Sequence, residues 1–116
     1  MVMPEFKLLV EEAKKEIREI DVHELKNLQN HGEDVALIDV REKEDADKEM
    51  IPGAVHVSRG MLEYSIDKVT TDKDKKIVLY CGGGSRSALA AASLQKMGFR
   101  NVSALSGGYK EWKAST

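Results

Sequence analysis

The sequence predicts an α/β fold: a central, mostly parallel sheet of about five strands with helices on both faces. Three observations carry this. Short apolar runs alternate with helix-forming stretches along the whole chain, the pattern that builds crossover connections over a parallel sheet. The run from Val35 to Val40 is apolar except for Asp39, as suits a strand covered on both faces. Turn and stop signals at Gly32, Pro52-Gly53, Gly98 and Gly107-Gly108 punctuate these runs.

Taken in order, the first segment sets Phe6, Leu9, Val10, Ala13 and Ile17 on one helical face, with Pro4 in the first turn. This predicts an N-terminal helical arm over residues 1–16, packed against a main domain of residues 17–116. Residues 17–20 either belong to that helix or open a short edge strand. Asp21 and Glu24 have capping-box spacing, so a helix starts after Asp21, turns Leu25 and Leu28 inward and stops at Gly32. Residues 35–40 form a strand and the charged residues 42–49 a short surface helix. Ile51-Pro52-Gly53 is a turn, and residues 54–57 are a second strand. Residues 60–66 read as a short helix, 67–76 as a polar loop and 77–80 as the strand that feeds Cys81. The strongest helix runs from Ser85 or Arg86 to Met97. A last strand, 102–105, precedes the Gly107-Gly108 turn and a helix over 109–113 in which Tyr109 and Trp112 pack onto the core.

The chemistry gathers at one loop, Cys81-Gly82-Gly83-Gly84-Ser85-Arg86-Ser87, set between strand and helix. Three adjacent glycines let successive N–H groups turn toward one point. The helix N-terminus adds positive potential, Ser85 and Ser87 add hydroxyls, and Arg86 adds a fork of charged donors suited to an oxyanion. Such surroundings lower a thiol pKa from about 8.5 into roughly the 3.5–7.5 range. A lone cysteine is often an inert buried group and a triple glycine often a plain turn. Joined in this position with Arg86, they point to a thiolate nucleophile. In parallel sheets ligands sit beyond the carboxyl ends of strands, where Asp39 and Cys81 both fall.

Other chemistries fail on spacing or composition. The dinucleotide fingerprint breaks at Ser87, the serine-hydrolase elbow also breaks there, and no phosphate-binding Gly-Lys-Ser/Thr occurs. With one cysteine and no Cys/His cluster, neither a disulfide nor a metal site is expected, and no cofactor is implied. A net charge of -2 without a basic stripe argues against nucleic acid. The longest apolar run near the start, Leu8-Leu9-Val10, is too short for a signal core or membrane span, so a cytoplasmic location is expected.

Five segments resemble the motifs of the rhodanese family of single-domain sulfurtransferases. They are Ile38-Asp39-Val40-Arg41-Glu42, Ile51-Pro52-Gly53-Ala54, Arg59-Gly60-Met61-Leu62-Glu63-Tyr64, Tyr80-Cys81 through Arg86-Ser87, and Gly107-Gly108-Tyr109-Lys110-Glu111-Trp112. The resemblance implies that Cys81 attacks the outer sulfur of a donor such as thiosulfate or a persulfide, carries a persulfide, and passes the sulfur to a thiol or cyanide. Arg86 orients the loop or the leaving anion, and Gly82, Gly83, Gly84, Ser85 and Ser87 hold the persulfide. Asp39 supports the loop; Arg41 either joins it or forms an ordinary surface pair. Arg59 and Glu63 line the pocket mouth or a solvated helix face. The family commonly carries a polar or basic residue where Gly82 stands and a histidine where Met50 stands; the first departure implies a persulfide, small or protein-bound, as the better donor. Phosphatases and arsenate reductases of the same fold use Cys-x5-Arg, whereas here the spacing is Cys-x4-Arg. A non-catalytic carrier or binding module is the remaining alternative; inactive members usually lack the cysteine.

Overall fold

The computed structural model describes residues 2–116. Five strands form one sheet in the order β1-β5-β4-β2-β3: β1 (Arg18–Ile20), β2 (Val35–Asp39), β3 (Val55–His56), β4 (Lys76–Tyr80) and β5 (Val102–Leu105). All four pairings are parallel. The expected "mostly" parallel sheet is thus parallel throughout, because a helix-bearing crossover separates each strand from the next. Six helices cover it: α1 (Pro4–Glu16), α2 (Val22–Asn30), α3 (Lys43–Lys48), α4 (Leu62–Ser65), α5 (Ser85–Lys96) and α6 (Gly108–Ala114).

Local signals account for most boundaries. Asp21 and Glu24 form the capping box that starts α2, each side chain reaching the other's backbone N–H. Gly32 follows its end with φ +65°. Residues 18–20 take the strand alternative, pairing with β5. Two expectations need correction. The strand expected over 54–57 contracts to Val55–His56, since it lies at the sheet edge and pairs only with β2. The helix expected over 60–66 splits into a 3₁₀ turn at Arg59–Met61, α4, and a 3₁₀ turn at Ile66–Lys68 that replaces the start of the expected loop. Leu62 and Ile66 are both buried, so core contacts rather than helix propensity set this path.

The sheet separates two cores. One face packs Ile38, Ile77, Leu79, Ala91 and Leu94 with Leu62; the other packs Leu25, Leu37, Val78, Tyr80, Leu105 and Trp112. A third cluster seats α1 on α5 through Val10, Ala13 and Ala88. Among the described residues no helix is long and apolar enough to cross a membrane.

Candidate active site

β4 runs buried from Ile77 into Cys81, and α5 begins at Ser85. The turn between them reverses the chain through Gly84, whose φ of +105° is closed to ordinary side chains. This bend aims backbone N–H groups at the sulfur. The Gly84 N–H donates to Cys81 Sγ at 3.1 Å and the Ser87 N–H at 3.4 Å. Ser87 Oγ lies 3.5 Å from the same atom. Cys81 is 1% exposed. Burial opposes its ionisation, yet the Ser87 hydroxyl and the amides of Ser87, Gly84 and Gly83 outweigh that penalty and hold the thiol below its ordinary value.

A second helix N-terminus fixes the outer side of the loop. The Tyr109 N–H donates to the Cys81 carbonyl at 2.8 Å, and the Lys110 N–H donates to the Gly82 carbonyl at 3.0 Å. These bonds turn the loop carbonyls toward α6, away from the sulfur. Gly108 makes the approach possible. Its φ is +58°, and a Cβ there would lie 2.4 Å from the Cys81 oxygen and 2.9 Å from the carbonyl carbon and oxygen of Gly82. Gly107-Gly108 was legible in the sequence as a turn; its docking against the cysteine loop was not. The signal was the second glycine, which a simple helix start does not require.

Below the loop lies a buried polar mesh at the end of β2. Asp39 is fully buried and accepts bonds from the Arg41 N–H at 2.9 Å, Arg41 Nη2 at 2.8 Å and Tyr80 Oη at 2.9 Å. Tyr80 Oη in turn accepts the Ile51 N–H at 3.0 Å. Arg41 also donates to the Glu49 carbonyl at 2.6 Å and lies 4.2 Å from the centre of the Tyr109 ring. Burial works against the Arg41 charge, but the Asp39 carboxylate overrides it. Tyr109 Oη bonds Glu49, which Lys113 also contacts. Asp39 and Arg41 therefore reach the loop indirectly, through Tyr80 at the end of β4 and Tyr109 at the head of α6. His56 Nε2 donates to the Arg41 carbonyl at 2.7 Å, which ties β3 into the same mesh.

Arg86 is half-buried and folds back over the loop, its Nη2 3.5 Å from where a Cβ on Gly82 would stand. Ser85 and Gly82 are partly exposed and Gly83 is open to solvent. Arg59 and Glu63 are not brought to the sulfur. They pair with each other at 2.8 Å, and Ser93 Oγ donates to Glu63 at 2.5 Å on the flank of α5. Burial raises the Glu63 pKa, but Ser93, its own backbone N–H and Arg59 bring it below the usual carboxylate value.

The converging amides lower the thiol pKa and are placed to hold negative charge on the sulfur.

Comparison with known proteins agrees with this geometry. The model of the Rhodanese-like domain matches residues 21–115. YtwF of Bacillus subtilis, designated a sulfurtransferase, is 39% identical over 101 residues, which span 87% of this chain and 95% of that protein. The thiosulfate sulfurtransferase GlpE of Coxiella burnetii is 36% identical over 81 residues, 70% of this chain and 74% of its own length. The structure of RPA3614 from Rhodopseudomonas palustris, a protein of unknown function suggested to be a tyrosine phosphatase, superposes with a TM-score of 0.86 at 33% identity. That match covers 99% of this chain and 93% of the other.

Proposed function

This chain belongs to the rhodanese-like family, and from that premise we propose that it is an enzyme moving sulfane sulfur through a persulfide on Cys81. The observation that carries the proposal is the convergence of the Gly84 and Ser87 amides on Cys81 Sγ. In the first half-reaction the Cys81 thiolate attacks the outer sulfur of the donor. The donor's S–S bond breaks and its electron pair departs on sulfite, when the donor is thiosulfate, or on a thiolate, when it is a persulfide. In the second half-reaction an acceptor thiolate or cyanide takes the outer sulfur and returns the electron pair to Cys81 Sγ. The loop amides stabilise negative sulfur in both halves, and Arg86 meets the arriving or departing anion. The amides and hydroxyl that lower the Cys81 pKa favour the attacking thiolate without calling on a separate base.

Thiosulfate use is supported by the name of the GlpE relative; Gly82 beside the nucleophile, with Arg86 as the loop's cation, favours a persulfide donor. A phosphatase reading has the suggestion made for RPA3614 in its favour, but Cys81 to Arg86 is one residue shorter than the Cys-x5-Arg loop that cradles a phosphate. The test is intact mass. Incubation with thiosulfate or glutathione persulfide adds one sulfur, about 32 Da, which a reducing agent removes. Cys81→Ser abolishes both the adduct and turnover while keeping the fold. Full activity in the Ser variant, or turnover of a phosphate ester without any sulfur adduct, overturns the proposal. An adduct that never passes to an acceptor assigns a carrier role instead.

A further inference from the structure

The path of the first helix gives it a place beside the chemistry. All strand pairings are parallel, so β1 begins at the same edge of the sheet as β4 and β5. α1 ends at Glu16, just before β1 opens at that edge, while α5 leaves Cys81 at the opposite edge and descends to it. The two helices therefore run side by side in the same direction. Side chains agree: Val10 and Ala13 pack with Ala88, and lower down Glu16 and Gln95 line one cleft. Helices of 13 and 12 residues are about 20 and 18 Å long, so the first turn of α1 stands level with Ser85–Ser87.

Between them lies a groove of about 380 Å³. Its floor is apolar and low: Leu9 and Ala13 from α1, Leu89 and Ala92 from α5. Leu9 is 60% exposed although it borders this floor. The walls are charged unequally. Glu12 and Glu16 form one side, while Arg59 opposite is already paired with Glu63. The uncompensated charge along the groove is thus acidic, with Lys96 at its foot.

We infer that this groove docks a cysteine-bearing amphipathic segment of a protein acceptor, with apolar residues at helical spacing on the floor and a cationic flank toward Glu12 and Glu16. A small donor or acceptor reaches Cys81 without touching the floor, which lies down the flank of α5. A segment laid along the floor brings its upper end to the catalytic loop. The inference rests on the sulfur transfer proposed above and names its acceptor. In the step served, the partner thiolate forms a bond to the outer sulfur of the Cys81 persulfide. The bond from that sulfur to Cys81 Sγ breaks, its electron pair stays on Sγ, and any proton on the outer sulfur travels with it. No oxidant or reductant is consumed.

The experiment uses the full chain and a synthetic 20-residue amphipathic peptide carrying a terminal cysteine, three leucines at i, i+3 and i+7, and lysines on one flank. A scrambled peptide with the same cysteine and cyanide serve as comparison acceptors. The expected result is a kcat/KM at least tenfold higher for the amphipathic peptide than for the scramble. Leu9→Asp and Glu12→Lys/Glu16→Lys each reduce it to the scrambled level and leave cyanide turnover unchanged. Equal rates for the two peptides, with cyanide turnover intact, overturn the inference. So does a concentration-dependent dimer, in sedimentation, that Leu9→Asp dissolves, since the groove then belongs to a second copy. Absence of both a sulfur adduct and cyanide turnover in the unmodified protein instead refutes the sulfur-transfer reading beneath it.

Discussion

Replacing Gly108 with alanine removes no side chain and no charge, yet it strikes the point where α6 meets the cysteine loop. Two effects add. A Cβ in the left-handed backbone region costs about 1–2 kcal/mol. The new methyl would also stand 2.4 Å from the Cys81 carbonyl oxygen, so the helix or the loop must retreat. Retreat weakens the bonds from Tyr109 and Lys110 to the Cys81 and Gly82 carbonyls, each worth roughly 0.5–1.5 kcal/mol. The expected loss is about 2–5 kcal/mol, a large share of the roughly 5–15 kcal/mol that holds a domain together. Gly53→Ala separates the two effects. Gly53 is also left-handed, at φ +88°, but its Cβ would meet nothing closer than Gln29 Nε2 at 4.0 Å. That variant is expected to lose only the conformational cost. Urea unfolding gives the stabilities, and the pH profile of Cys81 alkylation by iodoacetamide reports on the amide cradle. Gly108→Ala should move that profile upward and Gly53→Ala should leave it in place. Equal stabilities for the two variants with unchanged alkylation profiles would refute the close-approach argument.

Two further outcomes follow from the same geometry. Ser87→Ala removes a hydroxyl from beside the sulfur; a bond of about 1 kcal/mol corresponds to roughly a fivefold lower thiolate-to-thiol ratio, so the alkylation midpoint rises and, on the acid side of that midpoint, alkylation slows by that factor. The sign for stability runs the same way: the folded pKa of Cys81 lies below its unfolded value near 8.5, so the stabilisation from ionisation is complete above that value and is lost as pH falls through the folded one. An unaltered alkylation midpoint in Ser87→Ala would remove the hydroxyl from this account. Asp39→Asn leaves the Arg41 charge buried without its partner and should destabilise by about 3–5 kcal/mol in chemical denaturation; a loss below roughly 1 kcal/mol would mean that Arg41 reaches solvent on losing its carboxylate.

Much of the molecule was legible along the chain because it depends on neighbours in sequence. Asp21 and Glu24 start a helix whatever packs on it, and a strand, three glycines and a helix around Cys81 create an electropositive turn by backbone geometry alone. The apolar runs at 35–40 and 77–80 announce buried strands for the same reason. The choices left open, at residues 17–20, Arg41, Arg59 and Glu63, depend on which elements lie alongside. Residues 18–20 become a strand because β5 offers an edge. Arg41 is drawn inward because Asp39, Tyr80 and Tyr109, far apart in sequence, converge there. Glu63 turns to Ser93, and Arg59 pairs with Glu63, because α4 docks on the flank of α5. The sequence by itself determined the strand, glycine turn and helix that aim backbone amides at Cys81. Tertiary structure alone decided what holds that turn still, the pressing of α6 on the loop through Gly108, and which helix stands beside its mouth. Hydrogen bonds and excluded volume between distant segments exist only once the sheet has brought those segments together.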